Sequence, residues 1–148
     1  EIQSAIGRMQ LKKIDEWQKH REINANILIE CLKNNSAIRI PIPGGNIKHA
    51  WYKFYAFLLL DNLSKDWSRE KILEELYDEG IAAFSGSCGE IYLEKCFVNL
   101  GLIPKKSLKN AKELAKTSLM FELDPSINFS EMKRRAKIID NVLKRSIA

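Results

Sequence analysis

The sequence has few residues of the kinds that bind metals or form disulfide bridges. Its 148 residues include two histidines and three cysteines. The cysteines are odd in number and lack CxxC spacing, which argues against a disulfide framework and favours a reducing compartment. His20 and His49 are isolated from each other and from the cysteines, so they form no recognisable ligand cluster. We therefore expect no metal site and a cytoplasmic location.

Long apolar runs are also missing. The longest, about residues 54–60, is the size of a strand, whereas a membrane-crossing helix needs about 18 apolar residues or more. The first residues show neither the basic start nor the apolar stretch of a secretory signal. The net charge of +5 is mild, and it suits a sugar nucleotide as well as a nucleic acid. The composition predicts no membrane partner and leaves the class of anionic partner open.

A helical pattern opens the chain and continues to about residue 32. Ile2, Ile6 and Met9 form one apolar stripe, and no Ser, Thr, Asp or Asn precedes Ile2 as a cap. A helix over residues 1–32 would be roughly 48 Å long at about 1.5 Å per residue. A compact domain of this size is only roughly 38 Å across. We therefore expect part of this helix to pack on a portion of the protein outside these residues.

Helices alternate with short strands along the rest of the chain. Strands are predicted over residues 37–40, 50–60, 81–84 and 119–123, and the second is apolar on both faces, which indicates a central position. Helices are predicted from Ser68 to Gly80, over residues 90–99, from Ser107 to about residue 116, and from a capping box at Asn128 and Glu131. The expected inward residues of the first and last of these are Ile72, Leu73, Leu76, Tyr77, Met132, Ala136, Ile139 and Leu143. The pattern predicts a single α+β domain, with a small antiparallel or mixed sheet of three to four strands packed against helices.

The segment Ser85–Gly89 is the best local candidate for a site. It consists of small residues, follows a strand and precedes a helical stretch whose first amides could hold an anion. It matches neither GxGxxG nor a Walker loop. From the residues alone, a tight strand-to-helix connection is the favoured explanation.

A binding module is the alternative from another functional class. Six basic residues lie on the final helix, mixed with acidic ones, and we interpret them as a solvated face: Lys133, Arg134, Arg135, Lys137, Lys144 and Arg145. Four aromatic residues could stack on bases, although aromatic residues at strand spacing are typical of a core: Trp17, Trp51, Tyr52 and Phe54. Nucleic acid is thus the less favoured partner.

Four segments of the sequence resemble a known family. Residues 1–14, EIQSAIGRMQLKKI, are similar to the EIQAAIGxxQLxKL helix of the DegT/StrS-like sugar aminotransferases. Residues 84–95, FSGSCGEIYLEK, resemble a loop of one branch of that family, and residues 49–55 and 111–127 resemble its aromatic strand and its closing strand. The resemblance covers nearly the whole chain in collinear order.

This resemblance implies a fold-type I enzyme that moves an amino group, usually from glutamate, onto a keto group of a nucleotide-linked sugar. Such enzymes hold pyridoxal phosphate on a lysine of a large domain, paired with an acidic residue there. The chain would be the C-terminal small domain of a homodimeric enzyme, with no catalytic or cofactor-binding residue and no activity or bound pyridoxal phosphate by itself. Some relatives are dehydratases in which that lysine is replaced, and the deciding position lies outside this chain.

The same resemblance names the residues that would face the substrate. These are Ser85, Ser87, Cys88, Glu90 and Tyr92. One departure from the family pattern is Asp124, which stands where relatives often have histidine. If that position contacts the substrate, we expect the specificity of this protein to differ from theirs. If the position only packs against other residues, the substitution changes nothing.

Overall fold

The computed structural model describes residues 1–86 and 88–147. Its helices and strands, in chain order, are α1 (Ile2–Leu11), α2 (Ile14–Leu32), β1 (Ile38–Arg39), β2 (Lys53–Leu58), α3 (Arg69–Asp78), β3 (Ala83–Phe84), α4 (Lys95–Asn99), α5 (Lys109–Thr117), β4 (Ser118–Glu122) and α6 (Phe129–Arg145). Short 3-10 turns occupy Leu60–Asn62 and Ile91–Leu93. The predicted α+β class is confirmed.

The four strands form one antiparallel sheet in the order β1-β2-β4-β3. Strand β2 pairs with β1 on one side, where Ile38 faces Leu58, and with β4 on the other, where Phe54 faces Phe121. Its central position agrees with the apolar pattern on both of its faces. Strand β3 closes the other edge through the pairing of Ala83 with Phe121.

The core lies between one face of the sheet and helices α2, α3 and α6. Phe54 and Leu119 project from the sheet into this layer, where Leu28, Ile72 and Leu143 meet them, and all five are at most 1% exposed. Alternate residues of β2 are only half-buried, since they lie on the opposite face of the sheet. That second face carries the loop that follows β3.

Side-chain and backbone caps fix the ends of two helices, as the sequence predicts. The Ser68 hydroxyl accepts from the amide of Lys71 at 3.2 Å, and the side-chain Oδ1 of Asn128 accepts from the amide of Glu131 at 2.8 Å. Gly80, with φ of 73°, ends α3 in a Schellman motif, in which the next amide reaches back to the carbonyl of Leu76. The four residues predicted to face inward on α6 are all buried.

Three local predictions are wrong. The helix expected over residues 1–32 is divided at Lys12 and Lys13, because the Lys13 amide bonds to the carbonyl of Gln10 in a tightened 3-10 turn. Tyr77 is 78% exposed, since it lies beside the buried stripe of α3 rather than on it. Ser107 does not cap α5, which begins two residues later at Lys109.

Candidate functional site

The predicted loop after β3 is attached to the second face of the sheet. The Ser118 hydroxyl of β4 donates to the carbonyl of Ser85 at 2.6 Å. Gly86 follows with φ of 88°, and a side chain there would come within 2.9 Å of the Tyr55 ring on β2. Ser87, one of the residues expected to face the substrate, lies outside the described residues. The strand-facing half of the loop is therefore held by the sheet.

Two carboxylates organise the second half of the loop. The exposed Cys88 thiol donates to Glu94 Oε1 at 3.2 Å, and the Tyr92 hydroxyl donates to Glu90 Oε1 at 2.5 Å. The bond to Glu94 raises the pKa of Cys88 above its ordinary value, and the bond to Glu90 raises that of Tyr92. Cys88 is thus held as the thiol, which is the weakly nucleophilic form.

The helical stretch after the loop gives little support to anion binding. It is divided into the 3-10 turn Ile91–Leu93 and the five-residue helix α4. The amides of Glu94 and Val98 already donate to backbone carbonyls. The carboxylates of Glu90 and Glu94 also disfavour a negative ligand here. Hydroxyl groups suit this set of acceptors better than phosphate does.

A cleft that the sequence did not predict lies between α2 and the turn after β4. It has a volume of about 440 Å³. Its lining residues are Glu16, Trp17, His20, Arg21, Asp124, Pro125 and Ser126. We refer to it as the Arg21 cleft. A smaller recess of about 150 Å³ adjoins it and shares Arg21 and Asp124 with it.

The Arg21 cleft combines fixed charges with aromatic surface. Asp124 Oδ1 accepts from the amide of Ser126 at 2.8 Å and from its hydroxyl at 2.5 Å. These bonds, with a contribution from the Arg21 charge, hold the pKa of Asp124 below its ordinary value, so the carboxylate stays ionised at neutral pH. The guanidinium of Arg21 lies 5.9 Å from the centre of the Tyr52 ring, and the Lys53 ammonium lies 5.7 Å from the same ring.

The sequence indicated the predicted loop but did not indicate the Arg21 cleft. The loop shows a run of small residues, whereas the cleft joins residues more than a hundred positions apart. Asp124 stood out only as a departure from the family pattern, and Arg21 gave no signal.

The residues that the structure describes form no metal site. No group of three or more His, Cys, Asp or Glu in residues 1–86 and 88–147 is placed to hold a metal ion. No lysine of that same part of the chain is buried. The half-buried Lys53 and Lys71 lie over the rings of Tyr52 and Trp67.

Comparison with known proteins places this architecture in an enzyme family. Residues 1–140 match the DegT/DnrJ/EryC1/StrS aminotransferase family. The X-ray structure of the aminotransferase from Psychrobacter cryohalolentis matches with a TM-score of 0.91 and 37% identity, over 97% of this chain and 38% of that one. An uncharacterized protein of Methanocaldococcus jannaschii is 35% identical over 81 residues, which are 55% of this chain and 20% of that protein.

A dehydratase has the same fold. The E. coli GDP-4-keto-6-deoxy-D-mannose-3-dehydratase with bound hydrated PLP matches with a TM-score of 0.73 and 22% identity, over 91% of this chain and 34% of that one. The chain therefore spans well under half the length of the proteins it resembles. Because the family match extends over residues 1–140, the chain belongs to the DegT/DnrJ/EryC1/StrS aminotransferase family.

Proposed function

We propose that this chain is the C-terminal domain of a pyridoxal phosphate-dependent enzyme that transfers an amino group, from glutamate, to a keto group of a nucleotide-linked sugar. The observation that carries this proposal is the likeness to the Psychrobacter cryohalolentis aminotransferase, at 37% identity over 97% of the chain. The cofactor would supply the amino-group chemistry, held by residues outside this chain. The intact enzyme would be a cytoplasmic homodimer, and the free cysteines suit a reducing compartment.

In this proposal the chain forms one wall of the substrate cleft. The loop from Ser85 to Tyr92 presents hydroxyl, thiol and carboxylate groups to the substrate side. The α1 helix would contact the large domain, since Ile2, Ile6 and Met9 are all more than half exposed here. The isolated chain would neither bind pyridoxal phosphate covalently nor catalyse transamination.

In the part of the chain that the structure describes, no helix has the length and apolarity to cross a membrane.

The absorption spectrum of the protein produced from the whole reading frame tests the proposal. We expect a visible band from lysine-bound pyridoxal phosphate, which glutamate removes and a keto sugar nucleotide restores. The 148-residue chain, treated in the same way, serves as the control and should stay colourless. A colourless full-length protein, or turnover by the chain alone, would contradict the proposal.

A sugar dehydratase of the same family is the second candidate. The fold that the chain shares with the E. coli GDP-4-keto-6-deoxy-D-mannose-3-dehydratase favours it. The name of that enzyme gives a nucleotide-linked keto sugar as its substrate. The product distinguishes the two reactions, because a dehydratase releases a deoxy sugar and leaves no nitrogen on it. Mass spectrometry of the product would decide between them.

A nucleic-acid-binding module has less support, because several basic residues of α6 are paired. Arg134 and Arg135 both donate to Glu131, at 2.8 and 2.9 Å. Lys144 pairs with Asp140 at 2.6 Å. Paired charges release few counterions from a phosphate backbone. The chain can be tested on immobilised RNA at increasing salt concentrations. Retention that decreases steeply with salt would support a nucleic-acid-binding function.

A further inference from the structure

Unsatisfied polar atoms concentrate on one turn of α2, at the Arg21 cleft. Among the residues that the structure describes, the buried side-chain nitrogen and oxygen atoms without a hydrogen-bond partner are His20 Nδ1, Arg21 Nε and Asn24 Oδ1. His20 and Arg21 both line the cleft, and Asn24 follows one turn later. Leaving such an atom unpaired costs about 1–3 kcal/mol. Because the three atoms are themselves buried, a ligand in the cleft would meet the exposed parts of His20 and Arg21 and not these atoms.

The polar groups of the cleft include both donors and acceptors. Arg21 offers N–H donors, while the carboxylates of Glu16 and Asp124 accept. His20 can do either, and the Ser126 hydroxyl is already donated to Asp124. A phosphate or carboxylate ligand only accepts, and it would face both carboxylates. Hydroxyl groups donate and accept, so a ligand with several hydroxyls satisfies this set.

An aromatic side chain gives the cleft an apolar surface of the size of a ring. Trp17 is half-buried on the same face of α2 as Arg21. The His20 ring is itself fixed in place against Phe129, with 5.3 Å between ring centres. A rigid apolar ring beside a few placed polar groups is the usual composition of a small-molecule site. Sugar rings match it, since they have C–H faces and a rim of hydroxyls.

We propose that the Arg21 cleft binds a sugar ring, with Trp17 against a face of the ring and with Arg21 and Asp124 hydrogen-bonded to its hydroxyls. This inference deepens the function proposed above, and rests on it only in naming a sugar rather than another polyol. Asp124 then acts as a specificity determinant, because a carboxylate prefers a ligand with hydroxyl donors at that point.

Nuclear magnetic resonance of the ¹⁵N-labelled chain tests the proposal without any cofactor. The probes are the methyl pyranosides of glucose, galactose and mannose, with sodium sulfate as the anion probe. We expect at least one glycoside to shift the Trp17 indole N–H in a saturable way, with affinity in the millimolar range, about 1 mM. The Trp67 indole N–H, beside Lys71 on another part of the surface, is the internal reference and should not move.

Two conservative variants identify the contacts. Arg21→Lys keeps the charge but loses the planar fork, and Asp124→Asn keeps an oxygen that can accept from Ser126. Each should weaken glycoside binding by about tenfold or more, whereas Lys133→Ala on the exposed face of α6 should leave it unchanged. Well-dispersed spectra identify the variants that remain folded.

Two results would overturn the sugar site. One is that no glycoside moves the Trp17 signal, and the other is that sulfate moves it as strongly as a glycoside does. Unchanged affinity in both folded variants would overturn the assigned contacts. None of these results depends on pyridoxal phosphate. A failure of the sugar site can therefore be distinguished from a failure of the proposed aminotransferase function, which the absorption spectrum tests.

Discussion

The side chain of Asn35 connects the end of α2 to both β1 and α6, and its removal tests how far buried polar contacts stabilise this fold. Asn35 is 7% exposed. Its Nδ2 donates to Asp140 Oδ1 at 2.8 Å, and its Oδ1 accepts from the amide of Ala37 at 3.0 Å. Replacing Asn35 with alanine removes both bonds and leaves the Ala37 amide buried without a partner.

The structure sets the size of the effect. A hydrogen bond to a charged group contributes about 1.5–3 kcal/mol, and an orphaned buried N–H costs about 1–3 kcal/mol. Asp140 keeps its contact with Lys144 at 2.6 Å, so its carboxylate is not left alone and the lower part of each range applies. We expect Asn35→Ala to lower the free energy of unfolding by about 3 kcal/mol. In a domain of this size that corresponds to a Tm lower by roughly 6–12 °C.

Urea and thermal unfolding, followed by far-ultraviolet circular dichroism, measure this loss. Asn34→Ala is the matched control, because Asn34 is the exposed neighbour of Asn35. We expect the control to change stability by less than about 0.5 kcal/mol. Equal losses in the two variants would refute the reasoning, since they would show that the Asn35 contacts contribute nothing beyond helix-end propensity.

Three further predictions follow from single contacts. The pKa of Glu131 is lowered from 4.5 to about 2, so its stabilisation is complete above the unfolded value and is lost as the pH falls from 4.5 toward 2. Glu131→Gln should therefore flatten the plot of Tm against pH in that interval, and an unchanged slope would contradict this. Glu94→Gln removes the carboxylate whose hydrogen bond and charge raise the pKa of Cys88, so iodoacetamide should label Cys88 faster at constant pH, as peptide mass spectrometry would detect. Gly86→Ala places a methyl group 2.9 Å from an aromatic carbon at φ of 88° and should cost about 1–3 kcal/mol, while Gly45→Ala, with nothing within 4 Å of the added atom, should cost nothing measurable in urea unfolding.

Much of the fold could be predicted because it depends on local patterns. The apolar residues on both faces of β2 indicated a central strand, and the 3.6-residue periodicity of α6 identified its buried face. Ser68, Asn128 and Gly80 marked helix ends through side-chain and backbone chemistry that acts within a few residues. Patterns that act within a few residues of each other can be identified directly in the sequence.

The errors have a different physical origin. The division after α1 occurs at two lysines, where neither proline nor glycine gives a warning, and only the tightened turn reveals it. Tyr77 was placed inward from its apolar neighbours, although the buried stripe of α3 contains Ile72 and Leu76 and Tyr77 lies beside it. The Arg21 cleft required Asp124 to approach α2, a tertiary contact that no local pattern reports.

The division at Lys12 and Lys13 also separates two modes of unfolding. No residue of α1 is buried, whereas α2 contributes Ala25, Leu28 and Leu32 to the core. A ten-residue helix with no buried residue is marginal in water, so we expect α1 to fray by itself while the core half of α2 opens only with the whole domain. Amide hydrogen exchange would then be fast in α1 and slow in the core half of α2. A partner that covers α1 would therefore order that helix as it binds. Part of the free energy of binding would be used to form the helix.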